Sequence, residues 1–134
     1  MTKQLRSPCL RLAAASVLAS GLVVGARSQE AASVDYESQV KPIFETYCYE
    51  CHGPDRQKRE AEFRLDVRTG AFADLGGYLS IVPGDPEDSE IYLRVSSEFA
   101  EDRMPPYEAG TELTEEQIET IRLWIEQGAE WVGE

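Results

Sequence analysis

Cys48, Cys51 and His52 stand together in the run ETYCYECHGPD, and His52 is the only histidine among the 134 residues. Two thiols and an imidazole this close can bind zinc, cycle as a dithiol, form a structural disulfide or attach a haem. Zinc asks for a closed tetrahedral set of four ligands. The cluster supplies three, and no second cysteine–histidine pair exists. A thioredoxin-like dithiol sits at a helix start that follows a strand, whereas this motif follows a helical pattern with no βαβ surroundings. A disulfide suits an oxidising compartment but leaves the adjacent imidazole without a role. The C-x-x-C-H spacing matches covalent c-type haem attachment. Each thiol adds to one haem vinyl group, and the spacing lets both sulfurs reach neighbouring vinyls on one ring edge. His52 then lies under the iron as a nitrogen ligand. The expected cofactor is one haem c per chain, with Cys48 and Cys51 as thioether anchors.

The second axial position of such an iron needs a ligand or stays open. The chain has two methionines, Met1 and Met104. Met104 lies in a polar loop and precedes Pro105-Pro106, whose rings restrict the backbone. A methionine in a polar loop makes a poor gap-filler for a core. Met104 is therefore the candidate distal ligand, with a lysine, a tyrosine or an open site as the alternatives.

The N-terminal segment has the layout of a secretory signal. Lys3, Arg6 and Arg11 are followed by an apolar run from Leu12 to Val24, then by small residues at Val24-Gly25-Ala26 and Ala26-Arg27-Ser28. The run is too short for a confident membrane span, and an uncleaved signal anchor is the alternative. The expected organisation is a signal peptide over 1–28 and one domain over 29–134, exported to the periplasm or cell envelope. Cys9 precedes the apolar run, unlike a lipoprotein cysteine, and is expected to leave with the signal. A domain of about a hundred residues has only a modest core, which a large cofactor would supplement. The net charge of -12 argues against nucleic-acid binding, which wants a basic surface. It suits solubility or a redox partner with a basic surface. Membrane contact is expected only through an uncleaved signal.

Around the motif, the hydrophobic spacing predicts a mostly helical domain. Val40, Ile43, Phe44 and Tyr47 fall at helical spacing within Ser33–Tyr47, with Pro42 as an obstacle near the start. Gly53-Pro54 ends this element, and Asp55–Glu62 reads as an exposed loop. A short extended piece is expected at Phe63–Leu65, then helical turns within Asp66–Ala73, stopped by Gly76-Gly77. After the Pro83-Gly84 turn, Asp85 is the expected N-cap and Pro86 the first residue of a helix to about Val95. Ser96–Thr111 reads as a loop. The last helix is the clearest: Thr114 and Gln117 form a capping box, Leu113 and Ile118 a hydrophobic staple. Ile118, Ile121, Trp124 and Ile125 mark its apolar face, and Gly128 fits its C′ position. Trp124 and Ile121 are expected to pack on the first helix near the haem.

The order VKPIFETYCYECHG, FRLDVRTGA, IVPGDPEDSEIYLRV, MPP and LTEEQIETIRLWIEQGAEW resembles the planctomycete-type cytochrome c domain, a branch of class I c-type cytochromes. The resemblance covers nearly all of the chain after the signal. It implies an all-α, class I cytochrome c-like domain around a covalently bound haem, with long loops and with the first and last helices crossing beside the haem. It implies Cys48 and Cys51 as thioether anchors, His52 as proximal ligand and Met104 as distal ligand. Similar domains often stand at the front of longer chains, so this one is expected to be either free-standing or truncated from a longer multidomain protein. The leading functional expectation is a one-electron carrier. A haem peroxidase, or an interaction or redox module serving a larger envelope enzyme, is the alternative; acid–base catalysis would lack a second histidine.

Overall fold

Asp35 fixes where the first helix begins. Its carboxylate accepts the Ser38 N–H at 2.8 Å, and a wide π-helical turn, Tyr36–Val40, follows. The Lys41 N–H closes that turn on the Tyr36 carbonyl. Helix α1, Lys41–Tyr47, then takes Pro42 in its first turn, where the missing N–H costs no α-helical bond. The helical segment thus starts at Tyr36, three residues later than the expected Ser33, and the wide turn accommodates the proline. The computed structural model describes residues 32–60 and 63–133. The expected signal peptide over 1–28, its cleavage site and the first residues of the 29–134 domain lie outside them.

The rest is helical with long connections, as expected. Cys48 ends α1 and opens α2, Tyr49–His52. Helix α3, Arg68–Ala71, falls inside the stretch read as helical turns. Phe63–Leu65 joins no strand; the Leu65 N–H bonds to the His52 carbonyl at 2.8 Å instead. An isolated antiparallel bridge, Asp74 with Leu79, is the β feature among the described residues.

Helix α4, Glu90–Val95, starts later than Asp85 and is preceded by Ser89 in extended conformation. Ser89 is fully buried. Its hydroxyl donates to the Asp85 carbonyl at 2.7 Å and accepts the Val82 N–H at 2.8 Å. Asp85 itself accepts the Asp88 N–H at 3.2 Å. Asp85-Pro86 therefore nucleates a separate turn, and the helix begins beyond it.

The loop from Ser96 to Thr111 contains one 3₁₀ turn, Tyr107–Ala109. Helix α5, Glu115–Glu126, carries the expected capping box. It ends in a Schellman motif: Gly128 N–H bonds to the Ile125 carbonyl at 2.9 Å and Ala129 N–H to the Trp124 carbonyl at 2.8 Å. Gly128 takes φ 105° there, a conformation that glycine adopts without strain.

The first and last helical segments meet in an aromatic core. Trp124 is 1% exposed and has Tyr36 and Phe44 at ring-centroid distances of 5.5 and 6.0 Å. Phe72 and Trp131 pack on it at 6.5 and 6.3 Å. Its indole N–H donates to the Glu130 carbonyl at 2.9 Å. Trp124 thus packs on the first helix as expected.

Candidate functional site

Helix α1 delivers the motif. The Cys48 N–H bonds to the Phe44 carbonyl at 2.9 Å, and the Cys48 carbonyl accepts both the Cys51 N–H at 3.2 Å and the His52 N–H at 2.8 Å. The two thiols and the imidazole are therefore wound on one helical turn. Its outgoing carbonyls are satisfied by the returning chain: Glu60 N–H reaches the Cys51 carbonyl at 3.1 Å, and Leu65 N–H the His52 carbonyl. Gly53 is needed beside it. A Cβ there would lie 2.2 Å from the Tyr49 carbonyl oxygen. Arg59 Nε donates to the Gly53 carbonyl at 3.0 Å, which holds the exit.

Cys48 and Cys51 are free thiols, the first buried and the second half-buried. Burial, with a smaller contribution from Cys51, pushes the Cys48 thiol up to about 12. Burial also raises Cys51, followed by the charges of Glu60 and Glu50. A catalytic dithiol depends on a depressed thiol pKa in an electropositive setting, so this environment argues against redox cycling at sulfur. His52 is half-buried. Burial draws its imidazole below the ordinary value, and a hydrogen bond with the Phe63 backbone works against that. In the geometry its Nδ1 is buried without a close partner. The Phe63 ring stands edge-on to it at 5.3 Å. Among the described residues, no group of three or more His, Cys, Asp and Glu side chains is arranged to hold a metal ion.

Met104 is held by backbone bonds. Its N–H donates to the Arg94 carbonyl, at the end of α4, at 3.0 Å. The Phe99 carbonyl accepts the N–H groups of Asp102 and Arg103, both at 3.1 Å, which turns the chain toward it. The Met104–Pro105 peptide is cis, and Arg103 pairs with Glu112 beyond the loop.

These contacts bring the sequence-predicted residues together. Cys48, Cys51, His52 and Met104 all line one cavity of about 640 Å³, a size typical of cofactor sites. Phe63, Leu65, Ile91 and Val95 give it apolar wall. Trp124 and Ile121 are not among the residues that line it. Two residues that the sequence did not single out also line it, Ser80 and Arg94. Ser80 is fully buried and its hydroxyl has no partner. Nothing local marks either residue; both reach the cavity through long-range backbone pairing, Ile91 N–H to the Ser80 carbonyl and Met104 N–H to the Arg94 carbonyl.

No curated protein and no solved structure matches the chain. Residues 48–108 match the family model described as Planctomycete cytochrome C. The matched stretch opens on the first motif cysteine and closes just after Met104-Pro105-Pro106, so it contains every candidate site residue. From Cys48 to Glu108 the chain is similar to the planctomycete cytochrome c family.

Proposed function

We propose that the chain is an exported c-type cytochrome that carries one electron on a single haem. In this reading Cys48 and Cys51 are the thioether anchors, and His52 and Met104 are the axial ligands. The observation that carries it is the convergence of Met104 with the C-x-x-C-H turn on one cavity, although α3, α4 and their loops separate them in sequence.

The residues suit such a group. Apolar side chains wall the cavity. The buried nitrogen of His52 is Nδ1, without a close partner, which leaves Nε2 for the iron. When bound, the haem supplies an iron that changes oxidation state by one electron. The chain does the rest: its two thioethers keep the cofactor from being lost by dilution outside the cytoplasm, and the Met104 thioether raises the potential relative to a second nitrogen ligand. With side chains at both axial positions, a substrate has no seat on the iron, and no other histidine exists for acid–base work. Both points favour a carrier over a peroxidase. The acidic charge of the chain suits a redox partner with a basic surface.

Expression in a bacterial periplasm with haem-attachment machinery, denaturation and haem staining test the reading. Haem should stay with the unfolded chain. Cys48→Ser or Cys51→Ser alone should leave a weaker, single-thioether attachment. A denatured wild-type chain without haem overturns the proposal.

A further inference from the structure

Four glutamates line the cavity, Glu50, Glu60, Glu90 and Glu108, and the one lysine or arginine among the lining residues is Arg94. An arginine on an otherwise acidic and apolar wall has to be accounted for. It stands in the last turn of α4, a turn after Glu90, and its Nε donates to the Glu90 carboxylate at 2.6 Å. One N–H on Nη1 reaches the Asp102 carbonyl at 3.4 Å. A guanidinium has five N–H donors in a fixed fork. These two bonds leave three that take no acceptor among the described residues. The side chain is 36% exposed and that of Glu90 20%, so the pair is half-withdrawn from water, where charge matters more than at a free surface. The backbone of the same residue holds Met104.

We propose that Arg94 receives a carboxylate of the group that fills this cavity. On the reading above, on which this inference rests, that carboxylate is a haem propionate. Three remaining donors in a planar fork are the chemistry that recognises a carboxylate. Glu90 holds the fork in orientation through Nε. The guanidinium also opposes the negative charge gathered by the four glutamates and the propionate. A nearby cation favours the reduced iron, so Arg94 raises the reduction potential. Arg94 would bind the carboxylate of the group and leave the iron to other residues.

The test uses the haem-loaded protein, with the reduction potential and the far-red charge-transfer band of methionine-ligated ferric haem as readouts. Arg94→Gln should lower the potential and keep the band. Arg94→Lys should recover part of the loss. Glu90→Gln/Arg94→Gln deletes the ion pair as a neutral unit, and its potential should still lie below wild type. An unchanged potential in Arg94→Gln overturns the inference. So does a double variant at the wild-type potential, which would mean that Arg94 only neutralises Glu90. A fall seen only together with loss of the band traces to a displaced Met104 loop and overturns it too. Failure of the underlying haem reading is seen separately, as absence of covalent haem from the wild-type chain.

Discussion

A thioether is a weak iron ligand, so the loop that carries it has to be held by other bonds. Met104 is tied by its own N–H to the end of α4, and Pro105 and Pro106 line the same cavity. The proposed role as distal ligand predicts a specific loss. In the haem-loaded protein, Met104→Ala should abolish the far-red band, lower the potential and open the iron to added cyanide or imidazole. Met104→His should keep six-coordination, now through two nitrogens, at a lower potential. Titration with imidazole followed by visible spectroscopy reads both. A Met104→Ala protein that keeps the band and the potential makes Met104 a bystander of the cavity. Of the two proposed anchors, Cys48 is the more buried thiol, so its thioether would be the one more shielded from solvent.

The elements show which features are local enough to be legible in sequence. The α5 capping box needs four consecutive residues. Thr114 Oγ1 accepts the Gln117 N–H at 3.2 Å, and Gln117 Oε1 accepts the Thr114 N–H at 2.9 Å. The Gly128 stop and the C-x-x-C-H turn are equally local, and all three were readable. The start of α4 was not. Asp85-Pro86 is a valid helix start by local rules, but Ser89 bonds back to Val82 and Asp85, and that pairing between segments delays the helix. Arg94 was hidden for the same reason, since it reaches the site only because the Met104 loop returns to α4. Met104 was singled out by elimination, there being few sulfurs, and it does line the cavity. Gln117 adds a tie between elements: its Nε2 donates to the Tyr47 hydroxyl at 3.3 Å, next to Cys48. Thr114→Ala should therefore cost about 1 kcal/mol, the usual value of an N-cap. Denaturant unfolding should show it as a lower midpoint at unchanged slope, with the haem spectrum unaltered.

At the scale of the whole molecule, acidity and the aromatic core set the stability. Asp66 is the best-protected carboxylate with a resolved shift: the Arg64 side chain bonds it, with Nε 2.9 Å from Oδ1, and holds its carboxyl below the ordinary value. A carboxyl depressed in the folded state stabilises above its unfolded value and loses that contribution as pH falls through the folded one. Stability should thus be flat near neutrality and drop on acidification below the ordinary carboxylate range. Asp66→Asn should melt earlier than wild type at neutral pH, and the two melting curves should converge in acid. Curves that stay parallel at every pH would assign Asp66 no linked role.

Trp124 carries the larger share. It is nearly fully buried among Tyr36, Phe44, Phe72 and Trp131, and its indole N–H is spent on the Glu130 carbonyl. Deleting such a side chain costs roughly 3–5 kcal/mol. Small domains have about 5–15 kcal/mol in all, so the variant should remain folded in the cold but melt far earlier, by about 4–8 °C per kcal/mol. The location of Trp124 adds a sharper expectation. It is not among the residues that line the cavity, so Trp124→Ala should lose stability while the folded fraction keeps its far-red band and potential. Calorimetry and a redox titration at low temperature separate the two quantities. An unchanged melting temperature would contradict the burial. A lost band at a temperature where the chain is still folded would mean that the aromatic core sets the position of Met104 through α4, and that stability and ligation are one property of this domain instead of two.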